Sequence, residues 1–247
     1  MSHVVTLDQV TRTYGDVVAL DEVTIGFPRG RFVAVMGPSG SGKSTLLHCA
    51  AALDVPDSGT VTIGGVDAAR LSETRRTELR RKHVGFVFQA YNLLPAITVE
   101  QNITLPLRLA GARPDPEWLG ELVDRVGLRD RLHHRPGELS GGQQQRAAIV
   151  RALAARPDVV FADEPTGALD LRSAAEVLGL LRELVDDLGQ SVVMVTHDPA
   201  AAARAHDTLV MADGKVVDLL NGPSAGDLAA RLSDLGSGGL RLVEGAR

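Results

Sequence analysis

A single cysteine, Cys49, stands in a chain of 247 residues, so no intrachain disulfide and no CxxC metal or redox pair can form. No apolar stretch approaches the roughly 18 to 20 residues that span a bilayer, and residues 1–15 lack the basic-then-apolar pattern of a secretory leader. These absences lead to the expectation of a cytoplasmic chain. Positive charge is not in excess either: 26 Lys and Arg against 31 Asp and Glu leave a net charge of -5. An acidic surface has no global attraction for nucleic acid or anionic lipid, and no nucleic-acid partner is expected. The basic cluster at 70–82, six basic residues against two acidic, reads as a solvated helix face. His133 and His134 have no spaced Cys or carboxylate partner, which argues against a metal site there.

What is present is a chain 44% hydrophobic, long enough for one substantial core. Short β-branched runs at 31–36, 84–88, 159–162 and 191–196 read as buried strands, each followed by polar or glycine-rich residues. Between them lie helical patterns, the clearest at 173–188, where Ala174, Val177, Leu178, Leu181, Val185 and Leu188 form one apolar stripe. Ser173 with Glu176 suggests a capping box at its start, and Gly189 a left-handed stop. Strands alternating with helices imply an α/β fold with a largely parallel sheet, whose ligands bind beyond the carboxyl ends of the strands. Residues 4–10 and 17–27 suggest an antiparallel β subdomain at the N-terminus. The stretch 89–157 is mostly helical and reads as an insertion. One domain is expected over 1–220, with the helical insert at about 90–157 and a short tail over 221–247. In that tail Leu228, Leu232 and Leu235 suggest an amphipathic helix, and 236–239 looks flexible.

Gly37-Pro38-Ser39-Gly40-Ser41-Gly42-Lys43-Ser44-Thr45 follows one predicted strand and opens a predicted helix, matching GxxxxGK[ST] in letters and context. Glycines let the backbone wrap phosphates, so that its N–H groups and the helix N-terminus donate to them while Lys43 supplies a positive charge. The Ser44 hydroxyl is the expected Mg²⁺ ligand. Residues 159–164 form an apolar strand ending in two adjacent carboxylates. Asp163 is expected to hold Mg²⁺ through water, because Mg²⁺ keeps several waters and takes one or two carboxylates. Glu164 is then placed to polarise an attacking water.

A phosphate loop alone spans many nucleotide-binding classes. Leu139-Ser140-Gly141-Gly142-Gln143-Gln144-Gln145-Arg146 narrows them, because it resembles the signature sequence of ABC ATPases and precedes the Asp163-Glu164 strand in that family's order. Physically, Ser140 is a good N-cap, the two glycines leave backbone N–H groups open, and Ala147, Val150, Leu153 and Ala154 give the helix a buried face. The resemblance covers residue 4 to about 219. It implies a P-loop NTPase fold of ABC type and a head-to-tail homodimer. Ser140, Gly141, Gly142 and Gln143 of one subunit then close over the ATP held by the other, with Asp170 crossing the interface in the D-loop.

The same resemblance gives roles to residues that taken alone are more often structural. Tyr14 resembles the aromatic that stacks on adenine. Gln89 resembles the Q-loop glutamine that senses Mg²⁺ and the attacking water. His197 resembles the switch histidine at the γ-phosphate. The implied cofactors are ATP and Mg²⁺, and the implied catalytic set is Glu164, His197, Gln89 and Lys43.

Residues 85–95 and 98–102, with Thr166-Gly167, look like the branch of lipoprotein-release, macrolide-export and cell-division ATPases. Ala168 and Leu171 depart from that branch, where Asn and a small hydroxyl residue are usual. The branch implies a motor that drives a separate membrane permease from the inner face of the membrane, by export or by mechanical transmission. Alternatives are a cell-division-type regulatory ATPase and a non-transport ABC ATPase acting on nucleic acid. The long coiled coil, zinc insertions or tandem ATPase units of the last class are absent.

Overall fold

The computed structural model describes residues 2–236. Its elements run β1 (His3–Tyr14), β2 (Val17–Pro28), β3 (Phe32–Met36), α1 (Lys43–Ala50), β4 (Ser58–Ile63), β5 (Val66–Asp67), α2 (Glu73–His83) and β6 (Val84–Val87). Then follow α3 (Val99–Leu109), α4 (Pro116–Arg125), α5 (Gly141–Leu153), β7 (Val159–Asp163), α6 (Leu171–Leu188), β8 (Ser191–Val195), α7 (Pro199–Ala202), β9 (Asp207–Ala212), β10 (Lys215–Asn221) and α8 (Ala225–Gly236).

Two sheets result. One has order β2-β1-β4-β5 and is antiparallel; the other has order β10-β9-β3-β8-β7-β6, with β9, β3, β8, β7 and β6 parallel and β10 antiparallel at its edge. The parallel strands are apolar through their middles, with polar residues such as Asp163, Ser191, Asp207 and Thr208 at or near their ends, because both faces are covered. Phe32, Ala34 and Met36 enter one core while Val33 and Val35 enter the other, and Val160, Ala162 against Val159, Phe161 repeat the alternation. The first core is closed by α3 to α8. The second is closed by α1 and the antiparallel sheet. Fully buried side chains such as Phe161 and Leu47 contribute roughly 1.5–3 kcal/mol each relative to exposure.

The four strands expected from apolar runs are all present, within a residue or two at their ends, and the two N-terminal stretches pair antiparallel. Strands β4, β5, β9 and β10 are additional. β9 and β10 are joined through Asp213 and Gly214, both left-handed, a two-residue hairpin turn that Asp-Gly favours. The α6 start needs correction. Its N-cap is Asp170, which accepts from the amides of Arg172 and Ser173, so Ser173 lies inside the first turn. Its end agrees with expectation, since Gly189 is left-handed with φ 65. Helix α8 uses Leu228 and Leu232 against the first core. The expected flexible stretch 236–239 lies, from residue 237 on, outside the described residues.

Candidate functional site

Strand β3 delivers the chain into Gly37–Thr45 at its carboxyl end. Gly42 caps α1 with φ 95, and a Cβ there would stand 2.2 Å from the Ala19 carbonyl oxygen, so only glycine fits. Lys43 is folded back into the loop, its Nζ donating to the carbonyls of Gly37 at 2.9 Å and Pro38 at 2.7 Å. Burial lowers the Lys43 pKa, and the charges of Glu164 and Asp163 oppose that shift. The Ser41 hydroxyl is buried with no partner. Among the described residues, the amides of Gly40, Gly42, Lys43 and Ser44 have no backbone acceptor. No acidic side chain stands in the first turn of α1. The loop therefore offers several free donors and an uncompensated positive helix end, the arrangement that suits an anion.

At the end of β7, burial raises the Asp163 pKa; His48 and Lys43 pull it back, and Glu164 adds to the rise. No donor reaches the Asp163 carboxylate among the described residues. A half-buried carboxylate without donors and the exposed hydroxyl of Ser44 supply oxygen ligands of the kind a hard divalent cation takes, so the residues present fit Mg²⁺.

Glu164 has φ 44, a left-handed conformation that is costly for a non-glycine residue and recurs at functional sites. Its amide donates to the Val195 carbonyl at 3.0 Å, anchoring it to β8. Its Oε1 lies 2.8 Å from His197 Nδ1 just beyond the same strand. Gln89 joins them: a Cβ on Gly167 would meet Gln89 Nε2 at 2.7 Å and Glu164 Oε2 at 3.3 Å. Strand ends β6, β7 and β8 thus bring Gln89, Glu164 and His197 together beside Lys43.

Tyr14, at the end of β1, is 47% exposed. Its hydroxyl donates to Asp54 Oδ2 at 2.5 Å, and the Arg12 guanidinium lies 4.7 Å over its ring. Arg12 is itself held by Asp54 and by Asp57, at 3.0 and 2.8 Å. The hydrogen bond to Asp54, with burial second, raises the Tyr14 pKa. Sequence reasoning found Tyr14 but not its support from Arg12, Asp54 and Asp57. Asp54 lies 40 positions away, and no local pattern links the two.

Helix α5 begins as expected. Ser140 Oγ accepts from the Gln143 amide at 3.3 Å and Gln143 Oε1 accepts from the Ser140 amide at 2.9 Å, a reciprocal capping box. Ser140 is exposed, while Gly142 is buried against Ser173. Among the described residues no hydrogen bond or ion pair joins 140–143 to 37–45. Asp170 is likewise apart from the loop. It caps α6, and its Oδ2 accepts from Ser173 Oγ at 2.8 Å. Those Ser173 hydrogen bonds lower the Asp170 pKa.

A family model described as ABC transporter matches residues 20–167. The chain belongs to the ABC transporter family. It is an ABC-type ATPase cassette. It is similar to the macrolide export ATP-binding/permease protein MacB of Burkholderia pseudomallei (strain K96243), 46% identical over 87% of this chain and 34% of that protein. It is also similar to the protein of that name from Rhodopseudomonas palustris (strain HaA2), 49% identical over 85% of this chain and 32% of that protein. The chain thus spans about a third of the length of these curated relatives. Among solved structures it resembles a dimeric post-hydrolysis state of the ATP-binding cassette MJ0796 bound to ADP and Pi. The TM-score is 0.79 at 39% identity, covering 89% of this chain and 99% of that one. No helix among the described residues is long and apolar enough to cross a membrane.

Proposed function

We propose that this cassette binds ATP and Mg²⁺ at the phosphate loop, hydrolyses the ATP, and works as a head-to-tail pair that drives a membrane permease from its inner face. The observation that carries this reading is the start of α5: a capped helix N-terminus whose glycine amides have no backbone acceptor among the described residues, bonded to nothing in its own chain's phosphate loop. Such a terminus suits the terminal phosphate of a nucleotide held by a second copy. The dimeric state named for MJ0796 supports the pairing, and the permease named in the MacB relatives supports the partner.

In this reading Gly37–Thr45 wraps the phosphates, and Lys43 exchanges its carbonyl partners for phosphate oxygens. Tyr14, backed by Arg12, offers its free ring face to the base. Ser44, Asp163 and Gln89 hold Mg²⁺, which when bound offsets charge on the phosphates. Glu164 accepts a hydrogen bond from the attacking water and orients it in line, and His197 steadies both Glu164 and the terminal phosphate. Ser140, Gly141, Gly142 and Gln143 of the second copy donate to the same phosphate, with Asp170 at the seam. Residues 1–220 act as one ATPase domain with the helical insert at about 90–157, and 221–247 form a tail. Work on the permease follows from tighter binding of ATP to the closed pair than to the open one. Export or mechanical transmission is the direction that the macrolide-export relatives favour.

Glu164→Gln tests it. With MgATP, the variant is expected to lose turnover by about 10²-fold or more and to elute as an ATP-dependent dimer. Normal hydrolysis would remove Glu164 from its role. A variant that binds MgATP yet stays monomeric at every protein concentration, with or without its permease, would remove the paired site.

A further inference from the structure

Gln145 lies in the second turn of α5 and is fully buried. A buried primary amide in a helix interior is costly unless its groups are satisfied. Its Nε2 donates to the Pro165 carbonyl at 2.6 Å and reaches the Phe88 carbonyl at 3.5 Å. Those carbonyls flank the site: Pro165 directly follows Glu164, and Phe88 directly precedes Gln89. The amide oxygen has no partner, so the side chain is kept for its donor end and not for full satisfaction. Two turns further on, Arg151 reaches the same segment, donating to the carbonyls of Asn92 at 2.5 Å and Tyr91 at 2.8 Å. Tyr91 and Asn92 are both left-handed, so the chain after Gln89 is held in a conformation it would not keep by itself. The helix whose tip presents Ser140 is therefore tied at its second turn to the two segments that carry Glu164 and Gln89.

We infer that Gln145 is a positioning residue that ties the placement of the α5 helix start to the placement of Glu164 and Gln89, so that the catalytic pair is set only when α5 is seated. The inference rests on the ATPase reading above. It acts through geometry: a shift of about 1 Å in a positioned group can cost on the order of 10²-fold in rate. Arg151, on the same helix, holds the far end of that segment, so the Gln89 loop is fastened to α5 at two points.

Gln145→Met separates this role from packing. Methionine fills similar volume, sheds the unpaired amide oxygen and removes the donor to Pro165, so the two stability effects offset. The variant is expected to retain its Tm within a few degrees and its ATP affinity within about twofold. Its turnover should fall about tenfold or more. Combined with Gln89→Ala, the loss in turnover should be smaller than the product of the single losses, because both changes disable one unit. Gln145→Glu gives a second readout. Its carboxylate repels the Pro165 carbonyl until protonated, so turnover relative to wild type at each pH should rise as pH falls from about 8 to about 6. A Met variant that hydrolyses ATP at the wild-type rate overturns the inference, as does a Glu variant whose relative turnover is flat with pH. Wild-type protein and Glu164→Gln run in parallel. If the wild type shows no MgATP hydrolysis, the ATPase reading itself fails; if Glu164→Gln is also fully active, the role of Glu164 fails; if only the Gln145 variants are unaffected, the failure is confined to Gln145.

Discussion

The phosphate loop and the start of α5 are both helix N-termini preceded by glycine-containing turns, yet they are finished differently. At the loop, Lys43 and Asp163 are withdrawn from water with makeshift or missing partners, Ser41 has no partner, and Glu164 is left-handed. At the start of α5, Ser140 and Gln143 satisfy each other in a capping box, and no acidic residue offsets the helix end. The loop is thus built at a cost that a ligand can relieve. The α5 tip is stable without one and only presents its amides. That division suits the proposed shared site, in which the presenting half must hold its shape in the open state.

The comparison is broken most severely at Lys43. Lys43→Ala should lower turnover about 10³-fold and abolish the rise in Tm that MgATP gives the wild type, which thermal melts with and without nucleotide will show. At the other half, Ser140→Arg should lower turnover about 10²-fold while equilibrium ATP binding to the monomer stays unchanged, since the altered group meets only the second copy's ligand. Loss of ATP affinity in the monomer would contradict the division between the halves. Next in size is Arg12→Ala, which removes the cation behind Tyr14. Affinity for ATP should fall about fivefold with turnover at saturation unchanged, the pattern of lost uniform binding.

The smallest effect sharpens the claim that the loop half is strained. The raised pKa of Asp163 means that the folded chain disfavours its charge. Stability linked to that proton is fully present below the unfolded value of about 3.9 and is lost as pH rises through the folded value. Asp163→Asn should therefore stabilise the nucleotide-free chain at neutral pH, by on the order of half a kcal/mol given its partial exposure, and the gain should vanish in acid. Denaturant melts at the two pH values measure it.

The legible parts of the molecule are those written in contiguous residues. The phosphate loop, the Asp163-Glu164 strand end and the Ser140 cap each carry their reason within a few positions. The sequence points to Ser173 as the α6 cap, but Asp170, three residues earlier, takes that role; both residue types cap well, and only backbone geometry separates them. Strands β9 and β10 depend on Asp213-Gly214, a turn signal in a region whose apolar runs are broken by Asp218. The Arg12–Asp54–Asp57 support of Tyr14 and the Gln145 ties lie between segments far apart in sequence, so nothing local announces them.

The central claim is that a complete site takes groups from two copies, and mixing two inactive variants tests it most directly. Glu164→Gln and Ser140→Arg proteins are each purified, shown to be inactive, combined in equal amounts and assayed for MgATP hydrolysis. Mixed pairs contain one site with an intact loop half from one copy and an intact α5 tip from the other, so activity should return on mixing. A mixture as inactive as its components, in which mixed pairs are shown to form, would mean that each chain completes its own site.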